Sequence, residues 1–262
     1  PRVAWQFTGQ GSQYAGMARG LYAKYPQFRH AIDSCEQLLN KWRNCSLTEV
    51  LFQDEEQIHH TSWTQPAIFA VQMGLAKLLE SWGLRPDAVI GHSVGQYAAA
   101  CVAGMASWED GLHLISERGR LIGELPPGGL MLAVFTSIKD VEAEIASTPG
   151  VSLAALNGTH VVVSGPATDV RRVESQFASR GVRTKTLTTS HAFHSSLMEP
   201  AMEPFRAFAQ RIGFQPGVIP LVCNVTGKAA PAAKALTRSP EYFTPPSAMT
   251  VTPWRCASSA QA

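Results

Sequence analysis

The sequence predicts an α/β protein, with a large unit on a parallel sheet and a small βαββαβ unit inserted into it. Two observations carry this. The first is the pentapeptide Gly91-His92-Ser93-Val94-Gly95, which follows the apolar run Ala88-Val89-Ile90 and opens the small-residue stretch Gln96 to Ala103. Strand, tight turn and helix in that order are the setting of a G-x-S-x-G nucleophile elbow, so the large unit is expected to be α/β-hydrolase-like. The second is the order of elements between Pro126 and Ser190, read as strand, helix, strand, turn, strand, helix, strand. That is the order of a ferredoxin-like unit.

At the elbow, the flanking glycines leave room for the turn that exposes the serine hydroxyl. The helix that starts there adds unpaired N–H groups and the positive end of its dipole, which suit a developing oxyanion. Upstream, Val3 to Phe7 reads as the first strand, ending in Thr8-Gly9-Gln10-Gly11-Ser12-Gln13. This is not a G-x-G-x-x-G phosphate loop, since Tyr14 stands where the third glycine belongs, and no G-K-[ST] follows elsewhere. A glycine-rich turn after a first strand can instead lend a backbone N–H to a neighbouring elbow.

Residues 20–57 read as helices without chemistry. Thr64-Gln65-Pro66 is the expected start of the next helix, with proline in its first turn. Ile68, Val71, Leu75, Leu78, Leu79 and Trp82 then recur as one core-facing stripe. Gln65 is either a cap or a site residue. In the helix Trp108 to Ile122, an apolar face of Trp108, Leu112, Leu114, Ile115, Leu121 and Ile122 opposes Glu109, Asp110, His113, Glu117 and Arg120. Arg118 falls inside the apolar arc. A buried guanidinium has to be paired, either with a distant Asp or Glu or with a substrate carboxylate held by its fork.

In the insert, strands are expected at Leu130–Phe135, Val151–Leu156, His160–Ser164 and Val182–Leu187. Helices are expected at Lys139–Ser147 and Thr168–Arg180, and Asn157-Gly158 marks a hairpin. His191-Ala192-Phe193-His194 follows, where the chain returns to the main body, and one of its histidines is a candidate general base. A helix through Arg211 and a strand over Ile219–Val225 close the recognisable pattern.

The chain has 262 residues and a net charge of +2, which points to no nucleic-acid or acidic-lipid partner. Its longest apolar stretch is too short to span a bilayer. No signal peptide is read, and the start at Pro1 rather than methionine suggests a segment of a longer polypeptide. Cys35, Cys45, Cys101, Cys223 and Cys256 are scattered, and read as reduced thiols of a cytoplasmic protein. Neither His59-His60 nor the His191/His194 pair has a clustered carboxylate or thiol beside it, so no metal is expected.

Taken together, the motifs resemble the malonyl-CoA:acyl-carrier-protein transacylase family, in its polyketide-synthase acyltransferase branch. The matching pieces are residues 7–13, Thr64-Gln65-Pro66-Ala67, the elbow, Arg118, His191-Ala192-Phe193-His194 and Asn224-Val225-Thr226-Gly227, in family order. The resemblance implies Ser93 as nucleophile, His194 as its base, and the backbone N–H groups of Gln10 and Val94 as oxyanion hole. It implies Arg118 as the grip on the malonate carboxylate, with Gln65, Phe193 and His191 lining the substrate site and the Asn224 carbonyl orienting His194. In this family H-A-F-H goes with malonyl and Y-A-S-H with methylmalonyl units; Phe193 would crowd an α-methyl group.

No bound cofactor is implied. Malonyl-CoA is the substrate, a phosphopantetheinylated acyl carrier protein the partner, and a flanking ketosynthase domain of a larger synthase a further one. Domain boundaries follow: residues 1–125 and 195–242 for the core, 126–194 for the small subdomain, and 243–262 as an atypical tail expected to be disordered. Gln96 departs from the family's usual glutamate after the elbow. Two rival readings remain: a serine thioesterase or esterase on the same elbow, for which Asp110, Asp140 and Asp169 are the available acids, and an inactive docking domain.

Overall fold

The computed structural model describes residues 2–43, 46–223 and 228–229. Its described residues fall into two compact units, one formed by residues up to 124 together with 204 onwards, the other by residues 125–203. Along the first unit run β1 (Ala4–Phe7), α1 (Arg19–Lys24), α2 (Pro26–Trp42), α3 (Leu47–Phe52), α4 (Thr61–Ser81), β2 (Ala88–Gly91), α5 (Gly95–Val102) and α6 (Trp108–Gly123). The second unit holds β3 (Gly129–Val134), α7 (Ile138–Ile145), β4 (Ser152–Leu156), β5 (Val161–Pro166), α8 (Ala167–Ser179) and β6 (Thr184–Thr186). Helix α9 (Glu199–Ala209) follows, and β7 (Leu221–Val222) closes the described part of the first unit.

The large unit is organised on a parallel sheet of order β1-β2-β7. Ala4 pairs with Ala88 and Phe7 with Gly91, so β1 and β2 end level with one another. Val89 pairs with Leu221 on the other side. The central strand therefore delivers the elbow at its carboxyl end, where parallel α/β sheets bind ligands. Helix α2 starts with Pro26 at its first position and buries Phe28, Ala31, Ile32, Cys35 and Leu39 along one face. The Ser107 hydroxyl caps α6 by accepting the Asp110 N–H at 3.0 Å.

Helix α4 departs from expectation in two ways. It begins at Thr61, three residues before Thr64, with Pro66 inside it. Proline has no N–H for the Ser62 carbonyl one turn back, and Arg43 supplies the missing donor, its Nη1 reaching Ser62 O at 2.6 Å while Nη2 reaches Ser116 O at 2.7 Å. The expected apolar stripe is only part of what packs. Leu75 and Trp82 are exposed, while Ala67, Phe69, Ala70, Met73, Gly74 and Ala76 are buried. Small residues let α2 approach closely: a Cβ at Gly74 would lie 2.7 Å from the Phe28 ring.

The small unit is an antiparallel sheet of order β4-β5-β3-β6, the order of a ferredoxin-like fold. Leu132, Val134, Val163, Val141, Val170, Val173 and Phe177 form its core between sheet and helices. Asn157 donates its N–H to His160 O at 3.0 Å and Gly158 turns with φ 72°, closing the expected hairpin. The division near residue 203 lies later than the expected return at 195, because the 3-10 turn Ser196–Met198 packs on β5. The tail 243–262, Cys45 and Cys256 lie outside the described residues. Cys35, Cys101 and Cys223 form no disulfide, and burial pushes the Cys35 thiol up to about 12. Among the described residues no helix is long and apolar enough to cross a membrane.

Arg43 standing in for the N–H that Pro66 lacks leads to a specific expectation. Arg43→Met should lower unfolding free energy by about 1–3 kcal/mol, since two carbonyls lose their donor. In a Pro66→Ala background the same change should cost less, because the alanine brings its own N–H for Ser62 O. Denaturant titrations of the four proteins measure this coupling.

Candidate active site

Ser93 has φ 50°, a left-handed backbone that a serine adopts only at a cost of about 1–3 kcal/mol. The surroundings impose it. A side chain at Gly91 would overlap the backbone of Gly95 and Gln96, and one at Gly95 would overlap the Phe7 and Thr8 carbonyls. The His92 N–H donates to Phe7 O at 2.9 Å, which locks the elbow to the end of β1. The chain leaving β1, Thr8 to Gln10, consequently runs directly beside the elbow, and Val94 stands at the mouth of α5. His92 itself is deprived of solvent, which lowers its pKa.

From this loop a line of side-chain hydrogen bonds leads inward. Gln10 Nε2 donates to Thr61 Oγ1 at 3.2 Å, and Gln65 Nε2 donates to Gln10 Oε1 at 3.4 Å. Arg118 Nη1 donates to Gln65 Oε1 at 2.8 Å. Arg118 is 5 % exposed, and its guanidinium lies 6.0 Å from the centre of the Tyr97 ring, on the elbow helix four residues after Ser93. Burial lowers the arginine's pKa and raises the tyrosine's. Among the described residues no carboxylate comes within ion-pair distance of Arg118. By contrast Arg120, two residues on, pairs with both Glu117 and Glu124 at the surface.

The small unit carries the remaining candidates. His194 has φ 61° and is partly exposed. Its turn is held by Ser195, whose hydroxyl donates to Ala192 O at 2.7 Å and accepts the Leu197 N–H at 3.3 Å. His191 is buried, with Nε2 3.3 Å from Leu125 O and Nδ1 3.1 Å from Ser190 Oγ. A carbonyl only accepts, so Nε2 carries the proton there. Phe193 is buried edge-on to His191, with ring centres 6.1 Å apart. Asn224 lies outside the described residues.

The structure thus joins Ser93 and Val94 at the elbow, and Gln10, Gln65 and Arg118 in one hydrogen-bonded line. Tyr97 and Thr61 belong to the same constellation and were missed. Nothing local marks Thr61, whose partner is 51 residues away, whereas the position of Tyr97 one turn after the serine was a usable signal. The three acids a hydrolase triad could draw on sit in the first turns of α6, α7 and α8. Asp110 and Asp140 are bonded by the capping serines, and the Ser137 and Thr136 hydroxyls hold Asp140 below the usual carboxylate range. His113 is half-buried rather than solvated, stacked on Trp42 at 3.9 Å. Among the described residues no group of three His, Cys, Asp or Glu is placed to hold a metal.

Comparison with known proteins agrees with this architecture. The family profile described as "Acyl transferase domain" matches residues 4–235. The chain belongs to that family. It is 42 % identical over 233 residues to a phenolphthiocerol synthesis polyketide synthase type I from Mycobacterium marinum, covering 88 % of this chain and 11 % of that protein. The acyltransferase domain from the second module of the salinomycin polyketide synthase superposes with a TM-score of 0.85 at 41 % identity, over 90 % of this chain and 56 % of that one. A malonyl-transacylase solved with its type II polyketide synthase acyl-carrier protein gives a TM-score of 0.85 at 26 % identity, over 93 % and 81 %. This acyltransferase chain therefore spans about a tenth of the curated relative's length.

The half-buried His92 makes acyltransferase stability depend on acid. Its pKa is depressed in the folded state, so below about pH 6.5 the unfolded chain takes up a proton that the native one refuses. Stability should be unaffected above that value and fall beneath it, by at most about 1.4 kcal/mol per pH unit. Chemical denaturation at pH 7.5 and 5.5 checks the sign, and His92→Asn should reduce the difference between the two.

Proposed function

We propose that this acyltransferase moves a malonyl unit from malonyl-CoA to the phosphopantetheine thiol of an acyl carrier protein, through an ester on Ser93. The observation that carries the acyl assignment is Arg118. Its guanidinium is desolvated, lies against the elbow helix, and is bonded by a neutral amide instead of an acid. A single Nη1 bond to Gln65 leaves other N–H groups of the fork for a carboxylate, which they match in bidentate geometry.

Each half-reaction is an acyl transfer. His194 takes the Ser93 proton as Oγ attacks the thioester carbon, and the backbone N–H groups of Gln10 and Val94 receive the oxyanion. Each such donor contributes about 3–4 kcal/mol to lowering the barrier. The C–S bond breaks, His194 returns its proton to the coenzyme A sulfur, and malonyl-Ser93 remains. The carrier thiol then gives its proton to His194 and attacks the ester carbon; the C–Oγ bond breaks, and His194 returns the proton to Ser93 Oγ, leaving the malonyl thioester on the carrier. The Asn224 carbonyl orients the imidazole, Gln65 lines the acyl site, and the Phe193–His191 pair excludes an α-methyl substituent. Side chains and backbone suffice for these steps. The relative solved with its carrier protein supports the choice of acceptor. A coenzyme A ester as donor implies a cytoplasmic setting, and the chain's small share of its curated relative supports a place beside a ketosynthase in a larger synthase. The expected boundaries, 1–125 with 195–242 and 126–194, assign the nucleophile and clamp to the core and His194 to the insert.

A hydrolase is disfavoured because Asp110, Asp140 and Asp169 serve helix starts. Intact-mass analysis after malonyl-CoA, with and without carrier protein, tests the reading. Malonyl-Ser93 should persist in water and discharge to the carrier; hydrolysis without carrier would indicate a thioesterase, and no labelling a docking domain. Arg118→Ala should lower malonyl transfer by about 10²–10³-fold, comparable to losing a buried ion pair, while sparing or raising acetyl loading. Equal loss for both acyl groups rejects the clamp.

A further inference from the structure

Gln10 enters the proposed chemistry only through its backbone N–H, yet its side chain is held at both amide atoms. The oxygen accepts from Gln65 and the nitrogen donates to Thr61 Oγ1. The sense of these bonds is fixed from one end. An arginine can only donate, so Gln65 must turn its oxygen to Arg118 and its NH2 outward. That NH2 requires the oxygen of Gln10, which leaves the Gln10 NH2 facing Thr61. The last acceptor is fully buried at the first residue of α4. The carboxylate-reading end and the loop carrying Gln10 N–H are thus joined by a chain with one allowed polarity.

We infer that Thr61 is a positioning residue for acyl transfer, acting through the Gln10 side chain to fix the backbone N–H of Gln10 where the oxyanion forms. This rests on the proposed oxyanion role of Gln10. The loop needs such an anchor: Gly9 and Gly11 flank Gln10, and Gly11 has φ 110°, a conformation available to glycine. The flanking glycines are tied within the loop, Gly9 O accepting from Ser12 Oγ at 3.1 Å and Gly11 N–H donating to Gln13 Oε1 at 2.7 Å, and the Gln10 side chain ties Gln10 itself to α4. Burial of Thr61 makes it a stationary anchor, and removing its oxygen leaves the Gln10 NH2 without that acceptor.

Position should show in the rate of oxyanion formation, for any acyl group. The experiment is single-turnover acylation of Ser93 by malonyl-CoA and by acetyl-CoA, followed by intact mass. It compares the wild type with Thr61→Val, Thr61→Ser, Gln10→Met, the Thr61→Val/Gln10→Met double variant and Arg118→Ala. Thr61→Val should slow acylation about tenfold for both donors, with the same final amplitude and little change in the concentration giving half-maximal rate. Thr61→Ser, which keeps the oxygen, should return the rate to within about twofold. Gln10→Met keeps the N–H but breaks the chain, so it should match Thr61→Val, and the double variant should be no slower than either.

Unchanged rate constants overturn the inference. So does a loss confined to amplitude and melting temperature, which marks a structural role, or a double variant whose defect is the product of the two. Failure of the underlying reading looks different: wild type that forms no acyl-Ser93 removes both claims. Arg118→Ala that slows malonyl and acetyl alike removes the clamp while leaving the Thr61 comparison to stand or fall alone.

Discussion

One guanidinium, taken out of water with no acid to meet it among the described residues, sets the terms for the rest of the large unit. An ionised group in that position is costly unless its surroundings supply hydrogen bonds or an opposite charge. Gln65 and the face of Tyr97 supply part of that compensation and neither neutralises it. An arginine serving only to tie helices together would be expected to resemble Arg43, whose two Nη atoms are spent on the Ser62 and Ser116 carbonyls. Arg118 is instead held by one edge, its Nη1 donating to Gln65 Oε1, and no carboxylate among the described residues pairs with it.

The elbow shows the same economy of means. Phe7 and Gly91 are paired, so β1 and β2 release their loops at one level of the sheet. Only a glycine at 95 lets α5 start against the Phe7 and Thr8 carbonyls, and that closeness forces Ser93 into its left-handed turn. Strain at one residue is thus maintained by packing at two others and by the His92 bond to β1. The loop after β1 and the elbow serine are neighbours because of strand register, which is a property of the sheet and not of either loop.

Much of this was legible beforehand where local rules govern. The strand–elbow–helix order, the βαββαβ insert and the inward position of Arg118 each follow from spacing over a few turns, and each was found. What failed involved partners distant in sequence. The start of α4 was misplaced because proline inside a helix is normally excluded, and only Arg43, 23 residues before Pro66, makes it tolerable. Leu75 and Trp82 were expected in the core because large apolar side chains dominate a helical wheel, yet α4 packs through Ala67, Ala70, Gly74 and Ala76. His113 looked solvated for want of any local sign that Trp42 would cover it. Thr61 had no sequence signal at all.

The polar interior around the elbow shows why amides and not acids recur there. Among the described residues Arg118 is the one buried Lys, Arg, Asp or Glu; the other large polar side chains buried in its unit are Gln65, Gln72 and Gln96. Gln72 Nε2 donates to Thr8 O at 2.8 Å and Gln96 Nε2 reaches toward Val222 O at 3.5 Å, each leaving its Oε1 without a hydrogen-bond partner among the described residues. An amide can donate to those carbonyls, whereas an ionised carboxylate would only repel them. The glutamine that departs from the usual glutamate after the elbow therefore fits its surroundings, because a neutral amide can donate toward the Val222 carbonyl that faces it.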